Sequence, residues 1–310
     1  MKTRSKHQIE LVIVHILLLT LIAVIVLLPN QRATTRNAFA LLMGIGIIEC
    51  LFLVALFRKH HRQAPIEGML DIMIFVWGVF ILWELATSVY NIAHPVLVPA
   101  PENVFDTFRI QWRIMFLNVF YSMQLLLTGF FTGLSLAVVF GLFAGWIPRI
   151  RNFVSPIAHV MAPIPAVVFS PYLVSLMPTF RSASIVVIVL GVFWPTLMGT
   201  IQRITTIEPQ ILDSARMLKP GTATMVWKIL LPYITPGIIS GLKVSMTTSL
   251  LMLNYAELMG ATHGMGYYVQ NSITYANYTH AVAGIIVIGL VVTVLSFLVT
   301  KIQTHLIQWH

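Results

Sequence analysis

The chain has 310 residues, 58% of them hydrophobic and only 9% charged, with a formal net charge of +9 at pH 7. Soluble domains carry about 25% charged residues, so this composition excludes an ordinary water-soluble enzyme or binding module and defines an integral membrane protein. A basic excess can also serve nucleic acid, but in a protein of many spans it usually reflects Lys and Arg gathered on cytoplasmic loops, and no nucleic-acid partner is expected.

Apolar runs long enough to cross a bilayer, about 20 residues each, predict eight helices near residues 11–28, 38–57, 68–92, 116–145, 153–177, 182–203, 232–256 and 280–300. The fold class read from this is an all-α polytopic membrane protein with about eight transmembrane helices. The opening MKTRSKHQIE followed by Leu11 to Leu28 has the look of a signal peptide. Its apolar run is too long for one, and no small-residue cleavage site follows, so it reads as an uncleaved span. Residues 1–66 hold two plain apolar spans and a basic loop, an N-terminal accessory pair. Residues 67–310 carry Pro- and Gly-marked spans with amphipathic connectors. The fourth run exceeds what a bilayer needs, which predicts tilt or an interfacial start. No inverted internal repeat of the kind found in many secondary transporters is visible. Cys50, the sole cysteine, can form neither an intrachain disulfide nor a thiolate metal site.

A cytoplasmic N-terminus puts Lys2, Arg4, Lys6, Arg58, Lys59, Arg62, Arg149, Arg151, Arg203, Arg216, Lys219, Lys228 and Lys301 inside, against Arg32, Arg36, Arg109, Arg113 and Arg181 outside. The positive-inside rule favours that arrangement, with both termini in the cytoplasm.

Pro156, Pro163, Pro165, Pro171 and Pro178 crowd the fifth run. An interior proline removes a helix hydrogen bond and clashes with the preceding turn. Lipid cannot satisfy the freed carbonyls, so this span belongs inside the bundle, against protein or a water-filled path. Pro163 and Pro165 are accordingly candidates for the path, with Trp194 beside Pro195 marking a second kink. Lys243 lies about 16 Å along the span that starts at Pro232, near mid-membrane, where a charge is costly and usually functional. It can attract an anionic solute, pair with a carboxylate, or serve helix packing. Glu49, Asp71 and Glu84 also fall within apolar runs. Asn254, Tyr255 and Glu257 end the seventh span on the outer side and are candidates for the outer mouth or for contact with a binding protein. No His or carboxylate pattern has metal-binding spacing.

The most informative stretch is the loop at about 204–231. Pro209 suits the first turn of a helix. Ile211, Leu212, Ala215 and Leu218 then fall on one face, with Asp213, Arg216 and Lys219 elsewhere. Pro220-Gly221 ends that helix, Thr222 can cap a second one bearing Met225, Val226 and Ile229, and Leu231-Pro232 turns into the next span. Such a helix either lies on lipid headgroups or seats in a groove on a partner.

Asp213-Ser214-Ala215-Arg216-Met217-Leu218, the following Gly221, and Ile229-Leu230-Leu231-Pro232 resemble the EAA loop of ATP-binding-cassette (ABC) importer permeases. Val98-Pro99-Ala100-Pro101-Glu102-Asn103-Val104, Gly241-Leu242-Lys243 and the stretch from Ala256 to Gly266 are similar to the nitrate, sulfonate and taurine branch. The resemblance covers about residues 68–310. The family's usual loop glycine falls at Lys219, and its leading Glu is Asp213. The resemblance implies a type I importer permease core, a non-enzymatic transport subunit in a prokaryotic inner membrane. Its cytoplasmic helix, through Asp213, Ser214, Ala215, Arg216, Leu218 and Gly221, would seat in an ABC ATPase, present in two copies. A second permease subunit, forming a homodimer, an extracytoplasmic binding protein and membrane lipid complete the implied partners. No G-x-x-x-x-G-K-[ST] phosphate loop is present, so ATP and magnesium would be bound by the partner ATPase and no cofactor by this chain. Small anions such as sulfonates, taurine or nitrate are the implied solutes. The alternative from another class is an ion-coupled secondary transporter.

Overall fold

The computed structural model describes residues 2–32, 37–61 and 66–306, apart from the side chains of 2–6, 60–61 and 216. Arg36 and Arg62, and the side chains of Lys2, Arg4, Lys6 and Arg216, therefore lie outside the described residues. Among the described residues every regular element is helical. In the first third, α1 (Lys2–Leu27) and α2 (Phe39–His61) precede α3 (Glu67–Glu84), which widens into a π-turn at Leu85–Val89. The middle of the chain forms α4 (Pro101–Trp146), α5 (Pro148–Met161), α6 (Ser170–Leu176) and α7 (Phe180–Thr205). The short α8 (Pro209–Met217) and the single turn α9 (Thr222–Thr224) lead through a π-helical stretch at Met225–Leu230 into α10 (Leu231–Leu258). The chain closes with α11 (Met265–Thr274) and α12 (Tyr278–Leu306).

Among the described residues seven helices are long and apolar enough to cross a membrane, and α5 with α6 makes an eighth such segment bent by 84°. The chain divides into two compact units: Met1–Met115 with Asn271–Ile285, and Phe116–Gln270 with Ile286–His310. In the first, α1, α2 and α3 share a core of Val14, Leu21, Leu41, Ile45, Leu70 and Trp77. Leu19, Leu51 and Phe75 point outward, as expected for helices whose far side meets lipid rather than water.

The second unit is organised by a small-residue stripe. Gly129, Gly133, Ala137, Gly141 and Gly145 recur every fourth position of α4, the spacing that lets two membrane helices approach closely. A methyl added at Gly129, Gly141 or Gly145 would lie 2.7 Å from Ile188, Thr200 or Ile204, and one at Gly133 3.2 Å from Val192. Each pair is 59 residues apart, so α4 and α7 run parallel. Gly141→Leu should therefore force the helices apart, costing about 3 kcal/mol, the upper part of the range for overpacking. Thermal unfolding of the detergent-solubilised protein should show the loss, and an unchanged midpoint would refute this packing.

Parallel neighbours also settle the path of the bent pair. The chain leaves α4 at the end where Gly145 meets Ile204 and must start α7 at the other end. Residues 147–179 therefore travel the length of α4 from Tyr121 to Trp146, about 38 Å at 1.5 Å per residue, which exceeds the hydrocarbon thickness of about 30 Å. The pair is a crossing, giving eight. The expected single span at 153–177 is corrected in form: Pro156 sits within α5, Pro171 in the first turn of α6, and only the stretch with Pro163 and Pro165 breaks the helix. A first-turn proline lacks nothing the helix needs, which is why Pro171 does no harm, and Pro178 lies in the link between α6 and α7.

From its start α10 returns antiparallel to α7: Arg203 Nη2 donates to the Gly237 carbonyl at 2.9 Å, while Gly191 faces Met252. α12 runs antiparallel to α10, with Gln303 Nε2 donating to the Ile239 carbonyl at 2.7 Å. The end of α4, the loop after α7 and the end of α12 therefore share one side of the unit.

Candidate functional site

The loop between α7 and α10 is built on the permease's own core. Leu212 and Ala215 of α8 pack against the cluster of Leu142, Ile204, Ile207, Met225, Val226 and Leu230. The expected apolar face is thus corrected: Leu212 and Ala215 turn inward, whereas Ile211 is exposed and Met217 and Leu218 are 84% and 80% exposed. Asp213, Ser214 and Gly221 are also exposed, and Ser214 Oγ donates to the Gln210 carbonyl at 2.8 Å. The side chain of Arg216 lies outside the described residues.

Backbone angles place the break elsewhere than expected. Lys219 has φ of 47°, whereas Gly221 has φ of −63° and stands at the N-cap of α9 with no side-chain cap. The left-handed conformation costs a non-glycine residue about 1–2 kcal/mol, so Lys219 occupies the position that calls for glycine, and Pro220-Gly221 does not supply the turn. Thr222 is the first helical residue rather than a cap. Nor does the chain turn at Leu231-Pro232. Helix continues from Thr222 to Leu258, because the π-helical stretch at Met225–Leu230 directly precedes Pro232, where the missing N–H cannot bond in α-register.

At the opposite end of the unit a buried carboxylate holds a second loop. Glu257, 1% exposed, accepts from Ser122 Oγ at 2.6 Å and from the Gly266 amide at 2.7 Å. Ser122 Oγ in turn accepts from the Met265 amide at 2.9 Å, and Asn118 Oδ1 from the Gly264 amide at 2.8 Å. The acceptors meet the free amides that open α11, where a helix favours negative charge. Gly264 has φ of 120°, a conformation that L side chains rarely adopt. Both oxygens of Glu257 are thus engaged by protein, which makes it an anchor between α4, α10 and α11. The sequence reading passed over α11 because 10 residues are too few for a span; the paired glycines of Gly264-Met265-Gly266 were the available signal.

The remaining candidates are dispersed. Pro163 and Pro165 are exposed at the α5 break. Trp194 is half-buried, stacked edge-on with Phe193 at a 5.0 Å ring separation. Lys243 stands exposed on α10 beside Val244, so within this chain it faces outward rather than into the bundle. Asn254 is half-buried near the anchor.

Eight crossings, a glycine-packed helix pair and a short helix presented beyond them define a multi-pass membrane protein. The sequence profile of the binding-protein-dependent transport system inner membrane component matches residues 137–309, more than half of the chain, and the chain belongs to that family of ABC importer permeases. It is 26% identical over 257 residues to the taurine transport system permease protein TauC of Escherichia coli (strain K12), covering 80% of this chain and 91% of that one. It is 24% identical over 233 residues to the aliphatic sulfonates transport permease protein SsuC assigned in Bacillus subtilis (strain 168), covering 74% and 84%. A solved structure of a bacterial ABC transporter involved in import of the acidic polysaccharide alginate aligns with a TM-score of 0.59 at 15% identity, covering 86% of this chain and 99% of that chain. This last likeness bears on the fold alone.

Proposed function

We propose that this permease moves a small anion of the sulfonate, taurine or nitrate kind, delivered by an extracytoplasmic binding protein and driven by two copies of a separate ABC ATPase. The observation that carries the reading is the tip of the α7–α10 loop. Met217 and Leu218 stand open on a helix whose other face is fastened to the bundle through Leu212 and Ala215. An exposed apolar tip on a fastened helix suits insertion into a groove of a partner, and a pull on it would reach α7 and α10 directly. The surrounding Asp213, Ser214 and Gly221 belong to the same surface, and Arg216 of the same helix is assigned to the coupling with them. A second copy of the chain would complete the path, with Pro163, Pro165, Trp194, Lys243 and Asn254 toward it, and both termini in the cytoplasm. ATP and magnesium belong to the ATPase, and no cofactor to this chain. The names of the taurine and sulfonate relatives support the choice of solute.

Extraction in mild detergent should bring down an ATP-hydrolysing chain. Leu218→Asp, which puts a charge where an apolar contact is expected, should lower solute-stimulated hydrolysis and uptake at least about tenfold, equivalent to 1.4 kcal/mol of lost coupling. Ala215→Glu should instead destabilise the permease itself, because Ala215 packs inward. Full uptake in the Leu218 variant would refute the docking role.

A further inference from the structure

Two cavities of similar size and chemistry open at the two ends of α7. At its start, a cavity of about 300 Å³ is lined by Tyr121, Gln124, Thr179, Arg181, Thr262 and His263. Toward its end, one of about 280 Å³ is lined by Arg151, Ser155, His159, Gln202 and Thr205. Each offers one guanidinium, one imidazole, one carboxamide and a pair of aliphatic hydroxyls, and neither has an Asp or Glu in its lining. Among the described residues neither Arg151 nor Arg181 has an ion pair. The nearby acid Glu257 is spent on Ser122 and Gly266.

The walls of the first cavity are held in place. The rings of Tyr121 and His263 pack with centroids 4.8 Å apart, tilted by 42°, and His263 precedes Gly264, whose amide is fixed by Asn118. The start of α7 is closed by its own capping box of Thr179 and Ser182, so the attraction for an anion there comes from Arg181. Thr205 Oγ1 donates to the Gln202 carbonyl, Thr262 Oγ1 pairs with His263 Nδ1 and Thr179 Oγ1 is held by Ser182, so the donors offered to a planar or tetrahedral oxyanion are the guanidinium and the neighbouring carboxamide. The volumes are at the low end for solute sites, large enough for an alkyl sulfonate and too small for a polymer.

We propose that these cavities are paired stations for one small oxyanion, an outer one holding it through Arg181 and an inner one through Arg151. The proposal rests on the importer reading and names the side chains that would choose the solute.

Trifluoromethanesulfonate, a sulfonate visible by fluorine NMR, tests it on the full chain in nanodiscs of zwitterionic lipid. Two saturable populations are expected. Arg181→Gln and Arg151→Gln should each weaken one of them at least tenfold and leave the other unchanged, and nitrate but not choline should compete. Binding indifferent to both substitutions, or competed equally by choline, overturns the proposal. Displacement of the probe from both cavities by phosphatidylglycerol would make them headgroup sites and equally overturn it. So would an Arg181→Gln protein that loses capture by its binding protein while keeping both populations, since the outer cavity would then be a protein-docking feature. These readouts need no ATPase, so their failure is distinct from a failure of coupling through Leu218.

Discussion

Replacing Glu257 with alanine should cost the protein about 3 kcal/mol or more. The change leaves the Ser122 hydroxyl and the Gly266 amide without their acceptor in a site closed to water, and removal of one partner from a buried charged network carries a penalty of that order. Lipid around the bundle offers no replacement. Glu257→Gln keeps a carbonyl oxygen for the Gly266 amide and should cost only about 1 kcal/mol, the worth of the single bond it weakens. Denaturant unfolding in detergent gives the two numbers, and hydrogen exchange at the Gly266 amide shows where the loss arises. Equal costs for the two variants, or a Gly266 amide still protected in the alanine variant, would mean that Glu257 is not the anchor.

The second large effect should come from a carboxyl pair in the first unit. Glu84 and Glu102 are 2% and 3% exposed and lie close enough for their charges to act on one another. Glu102 accepts from Ser88 Oγ at 2.9 Å and lies in the field of Arg32. Arg32 is buried too, its guanidinium donating to Asn91 Oδ1 and to the carbonyls of Ala93 and Val98 at 2.8–3.0 Å. That burial pushes it below the usual arginine range while the Glu102 charge acts the other way. Glu102→Gln should therefore strand a buried guanidinium and cost about 3 kcal/mol. Glu84→Gln, which keeps the shape of the side chain and leaves the Ser88–Glu102 bond in place, should stay within about 1 kcal/mol of the parent. Thermal melts of both variants decide it; the reverse order would make Glu84 rather than Glu102 the acid on which Arg32 depends.

Much of this protein is readable before any coordinates. Eight crossings follow from eight apolar runs, because a bilayer accepts only helices of a certain length and apolarity. The loop beginning at Pro209 is legible from its mixed polarity, which no span would tolerate. The five-membered stripe from Gly129 to Gly145 was equally open to reading, since its period needs no partner to be seen.

Tertiary structure decided what these segments do with their faces. Composition cannot say that Leu212 and Ala215 turn toward Met225 and Val226 while Met217 and Leu218 stay outside, because all four are apolar and only the neighbouring helix distinguishes them. Nor can it place left-handed backbone at Lys219 instead of Gly221. Glu257, Ser122 and Gly266 come from positions up to 144 residues apart, and Glu84 was legible only as an acid in an apolar run until Glu102 was seen beside it. Local sequence sets which residues enter the membrane; which polar group meets which depends on contacts that exist only once the helices have packed.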